Sequence, residues 1–218
     1  MKIDVSVQKK VIIALVAALV LSAGLCLSFC SGGFSSEPVI KAAKENGMRN
    51  ISLAQYEKRE QGGMFGVTEI DEEGNLIAAY HVAKDSDEAN YIYSNYQSLE
   101  TVGNVSLKGA VYCEDPSVEL SVGLMIAADK NSANRLYDGW AEYLKEENPV
   151  ITTGKKAGYK YTIGYFTPES GGRKYYIGIY KKGNTVVILG GSGDTKEGRQ
   201  KLETFCKELG VISPLTDQ

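Results

Sequence analysis

An uncharged apolar run near the N-terminus constrains this chain more than any other feature of its sequence. Residues 11–29 carry no charged side chain, and they follow directly after Lys9 and Lys10. As a helix, these 19 residues would be roughly 28 Å long, about the thickness of the hydrocarbon core of a bilayer. The apolar core of a signal peptide is shorter, at about 7–15 residues. The sequence therefore predicts a transmembrane helix over residues 11–30.

The charges that flank this run predict its orientation. Lys2, Lys9 and Lys10 precede it, and the first charged residue after it is Glu37. Basic flanks stay on the cytoplasmic side of a membrane. We therefore expect a cytoplasmic stub over residues 1–10, a tether over residues 31–36 and a domain over residues 37–218. The expected location is the cell membrane of a bacterial envelope, with a single pass and the bulk of the chain outside the cytoplasm.

Two other fates of the N-terminal segment stay open. Lipidation at Cys26 or Cys30 requires a small residue directly before the cysteine. Leu25 and Phe29 occupy these positions, so both sites match poorly. Cleavage by a signal peptidase would use small residues, and residues 31–33 are a loose match. All three of these fates place the domain outside the cytoplasm. The remaining alternative is a core helix of a cytosolic protein, although core helices rarely run this long without a polar face.

The domain is long enough for one hydrophobic core, and its residue pattern mixes helices with strands. Apolar spacing and capping residues predict helices over residues 37–47, 85–99, 132–145 and 194–209. Alternation and turn residues predict strands over residues 64–70, 76–82, 105–113, 118–127, 159–167, 174–181 and 185–189. Residues 185–189 are apolar on both faces, which favours a central strand. The expected fold is α+β, an antiparallel sheet with helices packed on one face.

An internal echo suggests a tandem duplication within this domain. A Gly-Asn pair, an aspartate and a glutamate within residues 74–88 recur with the same spacing at an offset of 109 residues. In both places the predicted order is strand, turn, strand and capped helix. We interpret the echo as a repeated α-β-β-β-α unit, with halves over residues 37–104 and 105–218. Chance is the alternative, because hairpin turns and helix caps are common.

Charge is distributed unevenly along the domain. Residues 31–150 contain 20 acidic and 10 basic residues, whereas residues 151–183 contain seven basic residues and a single acid, Glu169. Tyrosines alternate with the bases in this block, so one face of the predicted strands would pack and the other would meet solvent. An exposed basic and aromatic sheet face is typical of a surface that binds anions or proteins. The candidate binding residues are Lys155, Lys156, Lys160, Arg173, Lys174, Lys181, Lys182, Tyr161, Tyr176 and Tyr180.

We therefore expect a membrane-anchored domain that works by binding, with an anionic envelope polymer or a protein as its partner. Nucleic acid is not expected as a partner outside the cytoplasm, and the sequence indicates no cofactor. One alternative is an envelope hydrolase whose acidic residues the sequence does not locate. Another is a structural subunit of a membrane complex, docked through the helix of Trp140 or a free sheet edge.

The sequence contains no motif that predicts a catalytic or metal-binding residue. Residues 190–193 form a glycine loop before a helix, but the loop lacks the lysine and hydroxyl order of a phosphate-binding loop. His81 is the single histidine, and it lies in a predicted strand where a half-exposed side chain is expected. No cysteine and histidine spacing matches a zinc site.

Two cysteines fall within the exported domain. Cys113 and Cys206 could pair, since disulfides form outside the cytoplasm, and the bridge would close a loop of about 90 residues. The alternative is a pair of buried thiols, because Cys206 shares a predicted apolar helix face with Leu202 and Phe205.

Overall fold

The computed structural model of the chain describes residues 32–52, 68–70, 74–96, 105–146, 151–167 and 174–216. The helices in this part are α1 (Ser36–Glu45), α2 (Ser86–Tyr96), α3 (Lys130–Glu146) and α4 (Lys196–Leu209). The strands are β1 (Arg49–Asn50), β2 (Thr68–Ile70), β3 (Leu76–Val82), β4 (Leu107–Asp115), β5 (Leu120–Ala127), β6 (Ile151–Lys156), β7 (Tyr159–Phe166), β8 (Tyr175–Lys182) and β9 (Thr185–Ser192).

The predicted transmembrane helix over residues 11–30 and the lipidation candidates Cys26 and Cys30 lie outside the described residues. Within the described part, no helix is both long enough and apolar enough to cross a membrane. Residues 33–218 form one compact unit.

The strands form a mixed sheet in the order β1-β3-β4-β5-β9-β8-β7-β6, with β2 paired to β3. The pair β1–β3 is parallel, and every other pair in the described residues is antiparallel. Strand β9 lies between β5 and β8 and is buried along its whole length. The prediction of an α+β fold with an apolar central strand is therefore confirmed.

The prediction that the helices pack on one face is wrong, because they cover both faces. Helices α2 and α3 form one core with Val186 and Ile188 of β9. Helices α1 and α4 form a second core with Val187 and Leu189 of the same strand. Successive side chains of a strand point to opposite faces. A strand that is apolar at every position therefore needs a helix layer on each side.

The structure confirms the predicted helices and moves the start of two of them. Helix α3 begins at Lys130, two residues before the predicted start, and α4 begins at Lys196, two residues after it. Helix α1 is followed by Gly47 at φ 75°, a left-handed conformation that glycine adopts at no steric cost. The Oδ1 of Asp85 accepts a hydrogen bond from the backbone N–H of Glu88, as the predicted cap requires. The Glu88 carboxylate reaches back to the N–H of Lys84 instead of that of Asp85. Helix α4 is capped by Thr195, one residue after the expected position.

Strand β6 was not predicted. It forms a hairpin with β7 through Ala157 and Gly158, whose φ angles are 47° and 82°. A two-residue hairpin turn of type I′ has positive φ at both central residues, and Asn-Gly is its usual sequence signal. The turn was not predicted because alanine stands where asparagine is usual. The strand was not predicted because the residues of β6 are mostly polar and show no apolar alternation.

The duplication stays a prediction. The elements α1-β1-β2-β3-α2 follow the expected α-β-β-β-α order, but four strands separate α3 from α4. In addition, α2 and α4, which the sequence echo makes equivalent, lie on opposite faces of the sheet.

Cys113 of β4 and Cys206 of α4 are free thiols, and both are buried. This finding favours the alternative of two unpaired thiols over the disulfide. We expect the midpoint of thermal unfolding to change by less than about 1 °C when a reductant is added to protein kept in oxidising buffer. A bridge over this loop would contribute about 4–5 kcal/mol. A fall of roughly 10 °C on reduction would show that the bridge exists.

Candidate functional site

Three lysines of the basic block form a row across neighbouring strands. Lys155 of β6 is paired with Lys160 of β7, and Lys160 is paired with Lys181 of β8. Directly paired residues point to the same face, with Cβ atoms about 4.5–5.5 Å apart. We call Lys155, Lys160 and Lys181 the lysine row. It lies on the sheet face that α3 covers, since Ile179 of β8 packs in the same core as α3.

Helix α3 borders the lysine row with an aromatic ring and a carboxylate. The Nζ of Lys160 lies 4.7 Å from the ring centre of Tyr137 and 3.9 Å from Oδ1 of Asp138. The hydroxyl oxygens of Tyr137 and Thr162 are 2.8 Å apart, which fixes the helix against β7. An ammonium over an aromatic face is held by the ring quadrupole.

The electrostatics of the row show an excess of positive charge. Lys181 is 8 % exposed. Burial lowers its pKa, and the positive charges of Lys160 and Lys130 lower that pKa further. Asp138 opposes the effect, but its side chain is 66 % exposed. Its attraction is therefore weakened by water. The row carries more positive charge than Asp138 neutralises.

Two further lysines, Lys156 and Lys182, lie at the same end of the sheet as the lysine row but on its opposite face. Lys156 is paired with Tyr159, and the Nζ of Lys182 lies 6.0 Å from the ring centre of Phe34. The rings of Phe34 and Tyr159 are 6.0 Å apart between centroids. Lysines from both faces thus surround one end of the sheet. We call this surface the basic end and define it by Lys130, Lys155, Lys156, Lys160, Lys181 and Lys182.

The predicted exposed face of tyrosines and lysines is wrong. Tyr180 is fully buried in the core that α1 and α4 form with the sheet, and Tyr176 is 7 % exposed. Tyr161 is half-buried, with its ring over Gly154. Lys174 is exposed at the far end of β8, with its Nζ 4.2 Å from the ring centre of Tyr165. Arg173 lies outside the described residues.

Sequence reasoning missed two members of the site, Lys130 and Phe34. Lys130 is the first residue of α3 and lies 25 positions before Lys155. Phe34 was assigned to the tether, yet it is 8 % exposed and packs in the second core. No local pattern marks either residue, because strand register and chain packing bring both to the basic end.

His81 is buried at 1 % exposure, so the expectation of a half-exposed strand histidine is wrong. Its Nδ1 lies 2.8 Å from the carbonyl oxygen of Ile51, and its Nε2 lies 3.4 Å from Oε1 of Glu88. The same Glu88 carboxylate caps α2. These contacts give His81 a structural role that ties β1, β3 and α2 together.

The acidic residues and the glycine loop are also held by structural contacts. Glu114 is 1 % exposed and accepts a hydrogen bond of 3.2 Å from the hydroxyl of Ser121. The predicted glycine loop is largely strand, because β9 extends through Gly190 to Ser192. A Cβ at Gly190 or Gly193 would collide with Tyr175 or Tyr176, so tyrosine rings fill the space beside these glycines. Within the described ranges, no group of three or more His, Cys, Asp or Glu residues could hold a metal ion.

Trp140 itself is not exposed for the docking that the structural-subunit alternative considers. Trp140 is 4 % exposed and packs in the core beneath α3, with its ring 5.9 Å from that of Tyr143.

No protein-family model matches this chain, and no curated protein matches it in sequence.

Proposed function

We propose that this chain is a membrane-anchored binding domain outside the cytoplasm, and that it recognises an anionic component of the cell envelope. The observation that carries this proposal is the lysine row, in which Lys155, Lys160 and Lys181 stand side by side on three adjacent strands.

Like charges directly opposite each other destabilise a sheet. Lys130 adds a fourth positive charge, at the N-terminus of α3, where the helix dipole already disfavours a cation. These terms stay unfavourable when an anion binds, but its attraction to each ammonium group offsets them. The electrostatic free energy of the basic end is therefore more favourable with an anion bound than without one.

The residue types indicate the chemistry of the ligand. Lysine ammonium groups act as compact point charges, and they bind phosphate or carboxylate oxygens without requiring a planar fork. Several ammonium groups spread over one end of the sheet fit a ligand that carries repeated negative charges. A polymer or a surface with phosphodiester groups meets this requirement.

The test uses the full chain in nanodiscs of uncharged lipid, with soluble poly(glycerol phosphate) as the probe. We expect the polymer to bind and its affinity to fall as salt is added. The double variant Lys155→Glu with Lys160→Glu should bind at least about tenfold more weakly. Each reversed charge contributes on the order of 1 kcal/mol, and 1.4 kcal/mol is a factor of ten.

The matched control is the double variant Lys174→Glu with Lys196→Glu. It changes the net charge by the same amount at the opposite end of the sheet, where both side chains are exposed. Its affinity should stay close to that of the native chain. Equal loss in both double variants would mean that net charge, and not the basic end, governs binding.

One observation supports the structural-subunit alternative. Strand β6 is the last strand of the described sheet order, so its outer edge could pair with a strand of a partner. Lys155 and Lys156 are exposed on this strand, and lysines on an edge strand disfavour such pairing. We therefore rank this alternative below the anion-binding domain.

A further inference from the structure

We propose that the partner of the basic end is the layer of anionic lipid headgroups of the membrane that anchors the chain. This inference rests on the proposed function, and it names the ligand of the same site. The occupant is a surface to which the domain is already tethered, and not a separate polymer.

The place where the chain enters the domain carries the argument. The backbone N–H of Phe34 donates a hydrogen bond of 2.7 Å to Oγ1 of Thr185, the first residue of β9. The hydroxyl of Thr185 donates in turn to the carbonyl oxygen of Lys182, at 2.8 Å. These bonds fix Phe34 beside the turn that follows Lys181 and Lys182. The chain therefore enters the domain at the basic end.

The length of the connecting chain limits how far the basic end can lie from the bilayer. Phe34 is five positions after Phe29, the last residue of the apolar run. A fully extended chain covers at most about 3.5 Å per residue, so the connection reaches no more than roughly 18 Å. The headgroup layer takes up about 5–7 Å of that reach. The remaining gap is therefore at most roughly 11–13 Å, and a connection that is not fully extended brings the lysines within the Debye length of about 8 Å at physiological salt.

The arrangement of the lysines fits a plane of charge. Lys155 and Lys160 project on the α3 face, and Lys156 and Lys182 lie on the opposite face of the same sheet end. Lys155, Lys156 and Lys160 are exposed, and Lys182 is half-buried. A surface approached end-on meets lysines of both faces at once. A single polymer strand laid along one face would leave the other face unused.

The test measures how fast individual lysines are acetylated in the full chain embedded in nanodiscs. One set of discs contains neutral phosphatidylcholine, and the other contains about 30 % phosphatidylglycerol, since anionic headgroups attract basic segments. In the anionic discs, Lys155, Lys156, Lys160 and Lys182 should react at least about fivefold more slowly, the effect of about 1 kcal/mol per lysine near a charged surface. The protection should disappear in high salt.

Two exposed lysines at the other end of the sheet, Lys174 and Lys196, serve as internal references and should react equally in both discs. A third sample combines neutral discs with soluble poly(glycerol phosphate). Protection by anionic lipid supports the inference. Protection by the polymer alone would overturn it and leave the proposed function standing. Protection by neither would overturn both.

Discussion

Replacing Gly178 with alanine is expected to destabilise the domain by about 2–3 kcal/mol, the cost of forcing extra volume into a packed core. Gly178 lies two residues before Tyr180 on β8, so both face the core formed by α1 and α4. A Cβ at this position would collide with the Tyr180 ring. The ring has no free space to enter, because Tyr180 is fully buried and its hydroxyl donates a 2.6 Å hydrogen bond to the carbonyl of Ile212.

A double-mutant cycle separates this collision from a general effect of glycine replacement. Tyr180→Ala alone should cost about 3–5 kcal/mol, as expected for a buried aromatic side chain. In that background, Gly178→Ala should cost less than about 1 kcal/mol, because the added methyl group then fills part of the cavity. The coupling is read from urea denaturation of the four proteins.

Gly109→Ala is the control for the same substitution elsewhere in the sheet. Gly109 lies in β4, and a Cβ there would meet the Cδ1 of Ile126 at an ordinary contact distance of 3.7 Å. We expect a change within about 1 kcal/mol. If Gly178→Ala and Gly109→Ala had equal effects, the packing of the Tyr180 ring on Gly178 would not determine the stability of this strand.

The elements that the sequence predicted well are those with local signals. Strand β3 was predicted with the bounds that the structure shows, because alternation and a turn define it from within. The glycine after α1 marked the end of that helix for the same reason. In each case a few adjacent residues carry the whole physical constraint.

The arrangement of the layers depends on contacts that no local pattern shows. Tyrosine fits both a solvated strand and a packed one, so alternation did not reveal that Tyr176 and Tyr180 are buried. The basic block was found from charge alone. That Lys155, Lys160 and Lys181 share one face follows from the register of three strands, which the sequence did not fix.

Alkaline pH is expected to unfold the domain through its buried thiols and phenols. Burial raises the pKa of the Cys206 thiol from its ordinary value of 9.0 to about 12, with a smaller contribution from the charge of Glu203. Burial also raises the pKa of the Cys113 thiol and of the Tyr112 and Tyr175 hydroxyls. These groups stay neutral in the folded state at pH values at which they ionise in the unfolded chain.

The direction of the pH effect follows from that difference. A group whose pKa is higher in the folded state contributes its full stability below its unfolded pKa, and the contribution falls as pH rises towards the folded pKa. For Cys206 the loss begins near pH 9 and amounts to about 2–3 kcal/mol at pH 11, since each pH unit is worth about 1.4 kcal/mol. The tyrosines and Cys113 add losses of the same sign.

Cys206→Ala tests the contribution of one of these buried thiols to the loss of stability at alkaline pH. From urea denaturation at pH 8 and pH 11 with reductant present, the native chain should lose about 2–3 kcal/mol more than this variant. The variant is less stable at pH 8, because it leaves a small cavity, but it lacks the thiolate that favours unfolding at pH 11. Leu76→Ala, at an exposed residue of β3 that does not titrate, should keep the native pH dependence. An identical loss in Cys206→Ala and the native chain would mean that the thiol ionises without unfolding the helix that buries it.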